Sequence, residues 1–230
     1  MNESEPVIVK TVCEKNKLSG VIVQVKSKAR IEECRCGENE RSGVLCLGES
    51  EPVIVRTVCE KNKLSGVGVE GMSKARIEEC RCIENEDAGV VCWDESAPVI
   101  VKTVCERNKL SGVSVRGKSQ ARIEDCRCGE NEQAGVVCFD ESEPVIVKTV
   151  CEKNKLSGVS VQDKSRARIE ECRCNENIQS GVVTFDESSA TVTKSSCCRN
   201  GRFGIEQNGG RLTHSGCTVS GNKNGDTKSC

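Results

Sequence analysis

The sequence predicts an all-β solenoid of about nine to ten stacked coils, each of 23 residues. A skeleton of Cys, two residues, Asn, three residues and Gly recurs every 23 residues, nine times, from Cys13, Asn16 and Gly20 to Cys197, Asn200 and Gly204. Between these marks, apolar residues alternate with polar ones over short runs, the period-2 signature of strands. Asn and Gly fall between the runs, where the chain must turn and where left-handed backbone is best tolerated. A 23-residue unit with three short strands leaves no room for a helix. Such a unit buries nothing alone, so successive coils stack as parallel strands about 4.8 Å apart.

With Ser4 as coil position 1, the coils come in pairs. The visible 46-residue repeat begins at Ser4, Ser50, Ser96 and Ser142, and each repeat joins an odd coil (4–26) to a related even coil (27–49). Pro6, Pro52, Pro98 and Pro144 all hold position 3 of odd coils, where a strand start tolerates a missing N–H. Stacked Asn amides at position 13 are placed to hydrogen-bond from coil to coil. A ninth coil spans 188–210, and a partial tenth keeps Cys217, Val219 and Asn222. The reading is one domain over 4–222 and a polar tail at 223–230 that frays.

The motif A-x-I-x-x-C-x-C-x-x-N-x-x-x-G-V, at Ala29, Ile31, Cys34, Cys36, Asn39, Gly43 and Val44, resembles that of right-handed parallel β-helices of the pectin-lyase-like class. The resemblance covers nearly the whole chain and implies a right-handed parallel β-helix. Leucine-rich repeats have an overlapping period but need Leu at inward sites, which here are Ile and Cys.

Composition narrows the function classes. The net charge of -1 lacks the clustered positive charge of a nucleic-acid groove. No apolar run reaches the roughly 18 residues of a membrane span. The N-terminus shows no signal-peptide pattern, so a cytoplasmic location is expected. Aromatics make up only 2% of the chain, so Val, Ile, Ala, Cys and Leu must fill the core. The 19 cysteines are odd in number and mostly in strict register, which reads as buried thiols in a reducing compartment. Thiols of a C-x-C strand lie about 7 Å apart, too far for a tetrahedral zinc site. Ladder neighbours about 4.8 Å apart exceed the usual disulfide Cβ separation of about 3.5–4.5 Å. No metal or cofactor is expected. Cys198, Cys217 and Cys230 fall outside the ladder pattern and read as the reactive thiols.

Charge explains the doubled period. Position 7 alternates in sign from Lys10, Glu33, Arg56 and Glu79 to Lys194, position 12 does the same, and position 14 follows for seven coils, from Lys17 to Lys155. Like charges directly across paired strands are destabilising, so alternation gives attraction and fixes register. Arg30, Arg76, Arg122 and Arg168 form a column at position 4, a candidate contact for an anionic partner that Glu32 and its equivalents oppose. Position 21 of the even coils reads Leu47, Trp93, Phe139 and Phe185, a candidate partner surface.

Catalytic signals are sparse. The acid pairs, such as Glu32–Glu33 and Glu170–Glu171, sit on adjacent strand residues that point to opposite sides, so they are not expected to converge. The one histidine, His214, reads as a solvated turn residue, and no nucleophile elbow or phosphate-cradling loop is present. The expectation is a non-catalytic scaffold that binds a protein. The repeat is also similar to the carbohydrate-binding and sugar-hydrolysis repeats of substrate-recruiting F-box proteins, which implies a protein partner; no F-box segment is visible. The alternative is a carbohydrate-active module that binds or cleaves an acidic polysaccharide. An uncovered solenoid end would invite end-to-end self-association. Features specific to this chain are expected where the ladders break: the aromatic edge and the degenerate end after Ser188.

Overall fold

The computed structural model describes residues 4–229. It is a right-handed parallel β-solenoid of about 10 turns, with no helix among the described residues. A typical coil contributes three short strands, for example Val53–Val55, Val58–Glu60 and Val67–Val69, and in a few coils the second is reduced to an isolated bridge, as at Val12 and Val150. Each strand pairs in parallel with its equivalent 23 residues away: Ile31 with Ile54, Cys36 with Cys59, Val44 with Val67. Inward side chains therefore form columns of Ile, Cys and Val, buried along the axis. The first and third sheets merge near the C-terminal end. There the strands Val182–Thr193 and Phe203–Ser215 run through the corner, with a register shift between Asp186 and Ser189.

The Asn column shows why the skeleton repeats. Asn39 Nδ2 donates to Asn62 Oδ1 at 2.9 Å and to the Cys13 carbonyl at 3.0 Å. The Asn39 N–H also donates to Asn62 Oδ1, at 3.1 Å. Each buried amide uses its donors and its acceptor on neighbouring coils, and the column runs unbroken from Asn16 to Asn222. A carboxylate could not donate in this way, and a Val could do neither.

Left-handed backbone avoids the skeleton Asn and Gly of positions 13 and 17. It falls on the charged residues of positions 7 and 12, such as Lys10 (φ 50), Glu33 (φ 51), Lys15 (φ 56) and Glu38 (φ 52). For a non-glycine residue this costs roughly 1–2 kcal/mol. The turn nonetheless keeps its N–H bonded to the next coil, as in Glu33 N to Val55 O at 3.1 Å. The skeleton glycines serve close approach instead. A Cβ on Gly43 would lie 2.7 Å from the Gly66 carbonyl and 2.9 Å from Cys59 Cβ.

This turn geometry also corrects the reading of the acid pairs. A left-handed residue breaks the alternation of the strand, so Glu32 and Glu33 both reach Arg56 of the next coil. Glu170 and Glu171 likewise both face Lys194, at 3.7 and 3.9 Å. The charge columns pair across coils as their alternation requires, for example Lys63 with Glu40 at 2.6 Å and Arg199 with Glu176 at 2.6 Å.

All described cysteines are free thiols, and only Cys13 and Cys217 are partly exposed. Burial pushes Cys46, Cys80 and Cys138 up to about 12, so they stay protonated. Cys217 proves to be in register after all. Its thiol faces the carbonyls of Val192 and Ser215 at 3.5 Å, as Cys34 faces those of Ile8 and Glu32. Cys198 is set apart. Although burial opposes it, the Ser196 and Ser220 hydroxyls at its sulfur and the nearby Arg199 charge hold this thiol below the usual range. Cys230 lies outside the described residues. His214 is a strand residue paired with Val192, not a turn residue. Within the polar tail, Gly225–Lys228 forms a strand that pairs with the Phe203–Glu206 segment.

Candidate functional site

The outward face of the third sheet carries a groove along the solenoid axis. Its floor is position 19, where Val91, Ser114, Val137 and Ser160 follow one another. One wall is position 15, with Leu110, Gln133, Leu156 and Gln179; the other is position 21, with Arg116, Phe139, Gln162 and Phe185. Two hollows of about 370 and 200 Å³ adjoin through shared Ser111, Gln133, Val137 and Gln162. Beyond the position-21 wall, a wider hollow of about 710 Å³ lies over the corner turns, with Asp94, Asp140, Asp163 and Asp186 interrupted by Lys118 and Lys164.

The local sequence seats the aromatic wall. Trp93 stays 45% exposed because its indole lies across the backbone of the next coil. That backbone is Gly117, with φ +61, where a Cβ would come within 2.6 Å of Trp93 Cδ1. Arg116 stands between two rings, its Cζ 4.9 Å from the Trp93 centroid and 5.9 Å from that of Phe139. Its Nε is buried with no hydrogen-bond partner. Glu70 occupies position 21 on the other side of Trp93. Burial pushes its carboxyl up against the pull of Arg116, and Asp94 adds to the rise.

The position-21 residues singled out from sequence thus stand in one row. Leu47, Phe139 and Phe185 are half-buried and Trp93 is exposed. The arginine column is elsewhere, on the first sheet, and is largely engaged. Arg30, Arg76 and Arg122 pair with Glu32, Glu78 and Glu124 at 2.7, 3.0 and 2.8 Å. Arg168 lines a separate hollow beside Arg166 and Glu143. Sequence reasoning missed the residues between the aromatics: Glu70, Arg116 and Gln162. A signal for them was present, because position 21 of the odd coils reads Gln24, Glu70, Arg116, Gln162 and Asn208 while most other positions repeat.

Past Phe185 the floor changes character. Glu206 takes position 19 and is buried. Its carboxylate accepts from Ser180 Oγ at 2.5 Å, Arg202 Nη2 at 3.0 Å and Lys228 Nζ at 3.4 Å. This is the irregular end that the broken ladders point to.

The family model for the right handed beta helix region matches residues 1–142 and again 107–227. The chain belongs to the right-handed β-helix family. No curated protein matches this β-helix in sequence. Among solved structures it is similar to pectate lyase Pel9A, at 14% identity with a TM-score of 0.61, over 86% of this chain and 62% of the lyase. It is also similar to the A-module of the Azotobacter vinelandii mannuronan C-5 epimerase AlgE4, at 13% identity with a TM-score of 0.62, over 100% of this chain and 78% of that one. A third is the alginate lyase from Paenibacillus sp. strain FPU-7, at 9% identity with a TM-score of 0.52, over 94% and 92%. At these identities the shared property is the fold.

These neighbours correct the expectation of a non-enzyme, since the similar structures carry the names of two lyases and an epimerase. The protein-binding scaffold and end-to-end association gain no support from them. No helix among the described residues is long and apolar enough to cross a membrane.

Proposed function

We propose that this β-helix is a carbohydrate-active module whose third-sheet groove binds an acidic polysaccharide along the solenoid axis. The observation that carries the reading is the wall of Trp93, Phe139 and Phe185, with the cation of Arg116 between the first two rings. The rings recur every second coil, about 9.6 Å at the usual strand spacing, a distance of the order of a disaccharide. Aromatic side chains offer large apolar faces to the C–H surfaces of sugars. Ser114, Ser160, Gln133 and Gln162 supply the hydroxyls and amides that orient a polar chain. The names of the similar structures support the same class, because pectate, alginate and mannuronan are all polyuronates.

Affinity electrophoresis in gels cast with pectate, alginate or a neutral glucan tests the reading. The protein is expected to be retarded by at least one polyuronate and not by the glucan. Trp93→Ala should weaken retardation roughly 2- to 10-fold, as for one aromatic contact. Migration unaffected by every polyuronate would overturn the proposal. Size analysis of the same polymers after incubation reads cleavage.

A further inference from the structure

We infer that Arg116 is the residue that reads the acid group of the bound glycan, taking a sugar carboxylate side-on through Nε and one terminal nitrogen. The inference rests on the polysaccharide reading above and names its specificity determinant.

Arginine elsewhere on this solenoid is commonly satisfied within the fold. Arg35 reaches Glu14 and Glu60 at 3.0 and 2.7 Å, and Arg173 reaches Glu152 at 2.7 Å. Those residues belong to the repeated charge pattern. Arg116 does not. It has no ion pair among the described residues, and it is the one arginine in a column that reads Gln24, Glu70, Arg116, Gln162 and Asn208, so no repeat from coil to coil dictates it. The nearby carboxylates, Glu70 and Asp94, bias the site electrically without closing on the guanidinium.

The geometry prepares the group for a planar anion. Trp93 and Phe139 flank the guanidinium, and cation–π attraction to both rings holds it in place. A planar guanidinium offers its donors in a fixed fork that matches a carboxylate. One arm of that fork, Nε, is buried without an acceptor. An unsatisfied buried donor carries a penalty that an incoming acceptor relieves. Trp93, an exposed side chain, lies against the guanidinium, and binding through Nε requires neighbouring side chains to give way. Ser114 and Gln133 then face the uncharged part of the same sugar. As the one arginine in this row, Arg116 reads a single acid group of the bound chain.

Calorimetric titration of the whole chain and two variants, Arg116→Gln and Arg116→Lys, separates this inference from the reading beneath it. The ligands are pectate fragments, the same fragments methyl-esterified, and dextran sulfate. The wild type should favour the acid over the ester by roughly tenfold to a hundredfold, the worth of a charge-assisted bidentate contact. Arg116→Gln should bind acid and ester within about twofold of each other, and Arg116→Lys, which keeps the charge but not the fork, should recover only part of the preference. Unchanged melting temperatures certify the folds. If the wild type binds neither pectate form, the polysaccharide reading itself fails. If it prefers the acid and Arg116→Gln keeps that preference, the groove stands and the role of Arg116 is overturned. Dextran sulfate bound as tightly as pectate would overturn the carboxylate assignment.

Discussion

The interior Asn column and the position-21 wall are built under opposite rules. In the column each side chain is chosen by its counterparts on adjacent coils. Asn85 bonds to Asn108 at 3.0 Å and Asn108 to Asn131 at 3.0 Å, so one residue type repeats without a break. Along the wall, Glu70, Trp93, Arg116, Phe139 and Gln162 follow one another with no residue repeated between neighbours. Where the adjacent coil uses up a side chain's bonding, the sequence repeats and the chemistry stays inside. Where it does not, donors and rings are left to face the groove.

Breaking the column should give the largest effect. Asn108→Ala strands the Asn85 N–H, one of the two Asn85 amide hydrogens and the Cys82 carbonyl in a buried site. At about 1–3 kcal/mol for each unsatisfied group, urea denaturation should show a loss of at least about 3 kcal/mol. A loss under about 1 kcal/mol would mean that the column is not what holds neighbouring coils in place.

An intermediate effect is expected at the seam between the two regions. Gly117→Ala puts a side chain at φ +61 and within 2.6 Å of the Trp93 ring. The left-handed backbone alone costs roughly 1–2 kcal/mol for a residue with a Cβ. The indole must also move, so near-ultraviolet circular dichroism should change while the strand signal stays. An unaltered Trp93 spectrum would show that the ring is not seated on this glycine.

The smallest effect belongs to the wall itself. The carboxyl of Glu70 is pushed above the ordinary glutamate value of about 4.3. The folded state therefore holds this proton more tightly than the unfolded state. Stability falls as pH rises from the unfolded value through the folded one, and the loss persists at neutral pH. Glu70→Gln removes that loss, so the variant should melt at the same temperature as the wild type near pH 3 and above it near pH 7. A lower melting point for the variant at pH 7 would mean that attraction to Arg116 outweighs burial.

Much of this architecture is legible in the sequence because a 23-residue period states every inward contact many times over. The Ile, Cys and Asn columns and the alternating charges follow from neighbour chemistry alone. The turns were less legible. Lys10 and Glu33 take left-handed backbone although nothing in their residue type favours it, because their stacked side chains and coil-to-coil hydrogen bonds outweigh a local preference. That departure also makes Glu32 and Glu33 converge on Arg56. The even half of the wall was visible as Leu47, Trp93, Phe139 and Phe185. Arg116 was not, since its partners are rings one coil away on either side and its meaning lies in a bond it does not make. Glu206 needed the fold as well, because Lys228, which helps to neutralise it, comes from a tail that the composition alone reads as frayed.

Trp93 is the chain's one tryptophan, so its fluorescence reports on the wall without a label. Titrating pectate fragments while reading that emission tests most directly whether the wall is a polyuronate site. A saturable change in intensity, absent with a neutral glucan and diminished in Gly117→Ala, is the predicted result. Emission that stays constant while the folded protein is shown to bind pectate would place the site elsewhere and contradict the account.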